Sequence, residues 1–238
     1  MPDRKVYETV DELITATATR FIEVANEAIR LRGVFNVVLS GGNSPRKLYE
    51  LLADKYNTSL DWQKVKIFFA DERYVPADHP DNNGGMIKNI LIPKLNIPDC
   101  NIFLINTALP VEQAAADYEF RINHAFDSEQ VYFDLVLLGM GDDGHTASLF
   151  PGTKVLQEKA AGIRPVFLAS KNSYRITMTA KLLNQGDNIV FLVYGESKAQ
   201  AVYDVLLGST DPNEIPALLI HSERGTTEWF LDNKAAGK

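Results

Sequence analysis

Cysteine is almost missing. Cys100 is the single one among 238 residues, so no internal disulfide can form, which points to a reducing compartment. Long apolar runs are missing too. The longest, such as Ile189-Val-Phe-Leu-Val-Tyr194, fall far short of the ~20 residues that a membrane-spanning helix needs. The opening MPDRKVYETVDEL holds no apolar stretch of the signal-peptide kind. A cytoplasmic protein with no membrane partner is expected. Positive charge is in short supply: 24 Lys and Arg stand against 31 Asp and Glu, a net charge of −7. A nucleic-acid partner needs a basic face to displace counterions, so none is expected. Any site for an anion has to gather its cations locally. Histidine is sparse as well, and no two of His79, His124, His145 and His221 have the spacing of zinc ligands. No catalytic metal is expected.

What is present is the composition of an ordinary folded chain, 45% hydrophobic and 23% charged. The length suits one large α/β domain or two small ones. No linker or repeat divides it, so a single domain over 1–238 is expected. Short apolar, β-branched runs alternate with amphipathic segments. Strands are expected at 35–39, 65–70, 101–105, 133–138, 165–168, 174–178 and 188–194. Helical spacing runs over 11–32, where Leu13, Ile14, Ala18, Phe21, Ile22, Ala25, Ala28 and Ile29 share a face, and over 45–56, 111–126 and 196–207. The alternation predicts an α/β fold, a doubly wound and mostly parallel sheet flanked by helices. Ligands bind beyond the carboxyl ends of such strands, so the residues that follow each strand carry the functional argument.

The first strand is followed by Ser40-Gly41-Gly42-Asn43-Ser44-Pro45 and a helix. Two glycines let backbone approach a ligand, and a helix N-terminus suits a phosphate or carboxylate. The same stretch reads equally well as a plain turn with Ser44 capping the helix. The second strand releases Asp71-Glu72-Arg73 together. Asp71 and Arg73 can face a site, one positioning hydroxyls and one holding an anion; alone, they also fit a weak surface ion pair.

The run Phe133-Asp-Leu-Val-Leu-Leu-Gly139-Met-Gly141-Asp-Asp-Gly144-His145 spells G-x-G-x-x-G after a strand. The dinucleotide reading fails here. It needs a helix packed on the strand, yet only five residues separate His145 from Pro151-Gly152. Asp142 and Asp143 would oppose a pyrophosphate, and Glu158 follows a turn rather than a strand. No nicotinamide or other cofactor is expected. What remains is a glycine turn presenting Asp143 and His145, a carboxylate beside a base that titrates near neutrality. No Gly-x-Ser-x-Gly elbow is present, and nothing brings Ser148 to His145, so the base points to an activated water. A structural histidine in a turn is the plain alternative. Finally, Arg175 alternates along Tyr174–Met178, and Lys198 opens a helix at Gly195-Glu-Ser-Lys198. A cation there opposes the helix dipole unless an anion joins it; a solvated lysine is the plain reading.

Taken together, LSGGNSPRKLYELL, FFADERYVPADHPDNNGGM, FDLVLLGMGDDGHTASLFPGT, YRITMTAKLLNQGDNIVFLVYGESKA and WFLDNKAA resemble the 6-phosphogluconolactonase family in motif and in order. One departure shows: after Asp81 many members read Ser-Asn-Tyr, against Asn82-Asn83-Gly84 here, a tract expected at the pocket rim. The resemblance implies a fold shared with glucosamine-6-phosphate deaminases and ribose-5-phosphate isomerases. It implies hydrolysis of 6-phospho-D-glucono-1,5-lactone to 6-phosphogluconate, with a small anionic sugar-phosphate lactone as partner and a monomeric enzyme. His145 is then the base, with Asp143 orienting it. Gly41, Gly42 and Asn43 are implied as substrate-binding, the Gly41-Gly42 amides as oxyanion donors. Asp71 binds sugar hydroxyls, Arg175 and Lys198 take the phosphate, and Arg73 either shares that charge or contacts the sugar acid end. A deaminase is the rival enzyme, but it places Ala-Phe-Asn-Glu-Pro after the histidine, where this chain has Ala147-Ser148-Leu149-Phe150-Pro151. A sugar-phosphate-sensing module is the rival from another class; the first helix here leads straight into 35–39, leaving no room for a DNA-binding unit.

Overall fold

A computed structural model describes residues 3–126, 130–208 and 211–238. Its main sheet has six strands, all parallel: β1 (Asp3–Tyr7), β2 (Phe35–Leu39), β3 (Val65–Phe69), β5 (Phe133–Leu138), β8 (Gly186–Val193) and β9 (Thr226–Asp232), in the order β1-β9-β8-β5-β2-β3. Every residue of β2 and β5 is buried, as their mostly apolar runs, broken only by Asn36 and Asp134, require for strands covered on both faces. The expected mostly parallel, helix-flanked sheet is present.

Helix α1 (Val10–Arg32) begins at a capping box in which Thr9 accepts from Glu12 N and the Glu12 side chain reaches back to Thr9 N. It stops at Gly33, whose φ of +76° ends the helix in the left-handed region. Its stripe of Leu13, Ile14, Ala18, Phe21, Ala25 and Ala28 is buried against β2, β5 and β9. Helices α2 (Asn43–Lys55), α3 (Asn83–Leu91), α4 (Val111–His124), α5 (Ala180–Leu183) and α6 (Ala199–Leu206) follow the strands. The segment expected as one helix over 196–207 is a 3-10 turn, Glu196–Lys198, running into α6.

Two expectations need correction. The strands expected at 165–168 and 174–178 lie outside the parallel sheet. As β6 (Ile163–Leu168) and β7 (Ser173–Met178) they pair antiparallel with each other, and β7 pairs with β4 (Asp71–Arg73), giving a second sheet of order β4-β7-β6. The link from β6 to β7 is only residues 169–172, closed by Asn172 at φ +43°. A parallel pair needs a long crossover, so so short a link dictates an antiparallel hairpin. The segment expected as a strand at 101–105 makes a single bridge, Ile67 to Ile102, after a 3-10 turn at Asp99–Asn101. Its apolar residues pack rather than pair: Phe103 stacks on Phe68 with centroids 4.5 Å apart.

The two sheets meet at Ala70, which separates β3 from β4. Its N–H donates to Leu39 O in the first sheet and its carbonyl accepts from Met178 N in the second. Beyond β2 the chain moves to β3 on one side, and beyond β5 to β8 on the other. The reversal leaves a crevice at the carboxyl ends of β2 and β5, where open α/β sheets place their ligands.

Candidate active site

The crevice is a cleft of ≈ 180 Å³. The turn after β2 gives it Ser40 to Pro45, β4 gives Asp71 and Arg73, the start of α3 gives Asn83, the turn after β5 gives Gly139 to Gly141 and His145 to Ala147, and the turn before α6 gives Lys198. Five separate segments thus converge where the sheet reverses.

The turn after β5 is built to hold one ring. His145 Nδ1 lies 2.5 Å from Asp143 Oδ1, and the same oxygen accepts the His145 backbone N–H at 3.1 Å. Gly141 N donates to His145 O, and the imidazole stacks on Phe150, centroids 4.0 Å apart and planes within 20°. A carboxylate at Nδ1 fixes the proton there and leaves Nε2 with its lone pair. Burial raises the Asp143 carboxyl, but the hydrogen bonds from the His145 side chain and backbone outweigh it and hold Asp143 below its ordinary value. Asp143 therefore stays ionised, ready to stabilise a charged imidazole. After Gly144 the chain forms turns and a bridge between Thr146 and Leu149 rather than a helix. Ala147 sits at φ +48°, an uncommon conformation for a residue with a side chain.

That turn sends Ser148 to the far side of the cleft floor. Ser148 Oγ donates to Asp71 Oδ2 at 2.6 Å, and Ser148 N donates to Thr177 Oγ1. Ser148 is committed to Asp71 and not to His145. Asp71 is only 7% exposed, and its backbone carbonyl accepts from Asn83 Nδ2 at 3.0 Å. Asn83 in turn fits only because residue 41 is glycine: a Cβ on Gly41 would lie 1.8 Å from Asn83 Oδ1.

Gly42, at φ +93°, is the N-cap of α2, and no side chain caps the helix. The reading of Ser44 as a cap is therefore set aside. Its carbonyl takes the Tyr194 hydroxyl instead. The amides of Gly41 and Gly42 make no hydrogen bond within the described residues, and Asn43 opens the helix beside them.

Cations surround this point. Arg73 Nη1 donates to the carbonyl of Asp81, and Lys198 enters from the turn before α6. Arg175 stands directly opposite Arg73 in the β4–β7 register, behind the residues that line the cleft rather than among them. Burial, then the neighbouring Arg73, hold the Arg175 guanidinium below its ordinary value. Among the described residues none of these three cations has a carboxylate ion-pair partner.

The sequence-predicted residues Gly41, Gly42, Asn43, Asp71, Arg73, Asp143, His145 and Lys198 thus gather, with Arg175 one strand away. Ser148 and Asn83 are the residues that sequence reasoning left out of the site. The tract 82–84, expected at the rim, is the N-cap and first turn of α3, and it places Asn83 in the cleft itself.

The model of the family described as glucosamine-6-phosphate isomerases/6-phosphogluconolactonase matches residues 8–229. A 6-phosphogluconolactonase of Synechocystis sp. is 39% identical over 95% of this chain and 92% of its own length. A probable 6-phosphogluconolactonase 1 of Arabidopsis thaliana is 35% identical over 98% and 92%. The solved 6-phosphogluconolactonase of Trypanosoma brucei superposes with a TM-score of 0.88 at 26% identity, covering 100% of this chain and 98% of that one. With the model spanning nearly the whole sequence and such relatives matching end to end, the chain belongs to the glucosamine-6-phosphate isomerase/6-phosphogluconolactonase family.

Proposed function

We propose that this chain hydrolyses 6-phospho-D-glucono-1,5-lactone to 6-phospho-D-gluconate, the second step of the oxidative pentose phosphate pathway, using a water activated by His145. The names of the relatives above support the substrate and reaction. The observation that carries the chemistry is an imidazole locked through Nδ1 to Asp143, its Nε2 without a partner among the described residues, in a cleft that Arg73 and Lys198 also line.

His145 Nε2 takes a proton from water as the water oxygen bonds to the lactone carbonyl carbon. The carbonyl π electrons move to oxygen, and the amides of Gly41 and Gly42 receive that charge. When the intermediate collapses, the bond from carbon to ring oxygen breaks, and the imidazolium returns its proton to that oxygen. Asp143 stabilises the imidazolium between the two transfers. Water and lactone become a hydroxy acid, and the histidine ends as it began. Arg73 and Lys198, with Arg175 behind, hold the phosphate, and Asp71, fixed by Ser148, accepts from sugar hydroxyls.

His145→Ala tests the reading. General acid–base catalysis commonly contributes about 10²–10⁴-fold, so the variant is expected to lose that much kcat while its melting temperature changes little. The assay follows freshly made lactone against its spontaneous hydrolysis. Near-normal turnover by the variant removes His145 from its role. Ammonia release from glucosamine 6-phosphate by the unaltered chain reassigns the reaction.

A further inference from the structure

Glu72 is 2% exposed and among the described residues is paired with no cation. Its side chain instead collects backbone amides. Oε1 accepts from Arg73 N at 2.7 Å and from Asn83 N at 2.7 Å, and Oε2 accepts from Gly84 N at 2.8 Å. A buried carboxylate without a cation is costly, and here three backbone amides offset that cost. The amides it holds belong to a chosen set. Arg73 and Asn83 both line the cleft, and they reach it from two elements, β4 and α3, that Glu72 ties together.

We propose that Glu72 is a positioning residue for substrate binding: its carboxylate clamps the start of α3 to β4 and so fixes the Arg73 guanidinium and the Asn83 amide in the cleft. It touches no substrate. It acts through the backbone of two residues that do, and the proposal rests on the assignment of Arg73 to the anionic end of the substrate.

Three N–H groups and the positive end of α3 are matched to an anion rather than to a neutral acid, whose hydroxyl would meet donors. Burial drives the carboxyl upward against those three hydrogen bonds, to about 7, and Asp71 adds to the rise. The other charged or titratable groups near it are Arg175 on β7 and the Tyr118 hydroxyl on α4; α3 presents backbone amides. The clamp is therefore charged above neutrality and weakens as pH falls through about 7.

Glu72→Gln keeps the shape and removes the charge. Steady-state kinetics between about pH 6.5 and 8.5, above the second ionisation of a phosphate monoester near 6, give the readout. The expected result is a KM at least tenfold higher with kcat within threefold, a melting temperature modestly lower yet well above the assay temperature, and loss of the rise in KM expected of the unaltered enzyme below pH 7. Faster hydrogen exchange at the amides of residues 73, 83 and 84, with core strands unchanged, accompanies it. Glu72→Asp, charged but one methylene shorter, raises KM and keeps the pH dependence, and serves if the glutamine variant does not fold. A wild-type KM and pH profile in the folded glutamine variant, or unchanged exchange at those amides, overturns the proposal. Arg73→Ala, assayed alongside, separates the two readings. An unmoved KM there removes Arg73 from the anion site, and a raised KM in Glu72→Gln then assigns the clamp to Asn83 alone. A raised KM in Arg73→Ala beside an unmoved Glu72→Gln removes the clamp and leaves the anion site standing.

Discussion

A Cβ on Gly141 would lie 2.1 Å from His145 Nδ1 and 2.5 Å from Asp143 Oδ1, pressed against both ends of their hydrogen bond. Real Cβ contacts are never that short, and both neighbours are short side chains on the same tight turn, so one of the two has to leave. Gly141→Ala is therefore expected to displace the imidazole by an ångström or more and to lower kcat roughly 10²-fold, with KM nearly unchanged because no phosphate ligand moves. Kinetics with a thermal melt checks it: loss of kcat only in proportion to unfolded protein would deny Gly141 this part. The dyad itself was legible in the sequence because its members are two residues apart on a glycine turn after a strand. Ser148 and Asn83 were not. The partner of Ser148 is 77 residues away, and nothing local tells a serine in a turn that it will bond an aspartate from another strand. Glu72 was legible only as one of three charges; that it turns inward while Asp71 and Arg73 meet the cleft depends on where α3 begins.

At the scale of elements, amphipathic and fully apolar segments announced themselves, and α1, β2 and β5 fall within a residue of the expected bounds. The strands that escaped are those whose stability comes from across the fold. In β1, DRKVY, three of five residues are charged, which reads as surface. It forms because Lys5 pairs with Glu228 of β9 at 2.6 Å and because Arg20 of α1 donates to the other oxygen at 2.7 Å. Glu228 is 4% exposed. Burial raises its carboxyl, but the bonds from Lys5 and Arg20 outweigh burial and hold it below its ordinary value. For a lowered carboxyl, the folded state binds fewer protons than the unfolded one below the ordinary value near 4.3. Its stabilisation is thus complete above that pH and is lost as pH falls through the lowered folded value. Glu228→Gln is expected to lower stability at neutral pH by about 1 kcal/mol, because Lys5 and Arg20 are partly exposed and solvent screens the pairs, and to flatten the acid limb of a denaturation profile. An equal loss at pH 7 and pH 3 would mean the charges of this triad contribute nothing.

Across the whole molecule two electrostatic effects oppose each other. The net charge of −7 repels a phosphorylated substrate, while Arg73, Arg175 and Lys198 attract it from close range. The screening length is about 30 Å at 0.01 M salt and about 8 Å at 0.15 M, so salt weakens both the repulsion by surface carboxylates and the pull of the cleft on an approaching substrate. Focusing by a cleft favours the local term, and among the described residues none of these cations is paired with a carboxylate within ion-pair distance. kcat/KM is therefore expected to fall several-fold between low and physiological ionic strength, and Lys198→Ala is expected to lower it at low salt and to make the slope shallower. Measuring kcat/KM against salt for both proteins decides which term wins. A value that rises with salt would show that the acidic surface as a whole, and not the cleft, governs the approach of the substrate.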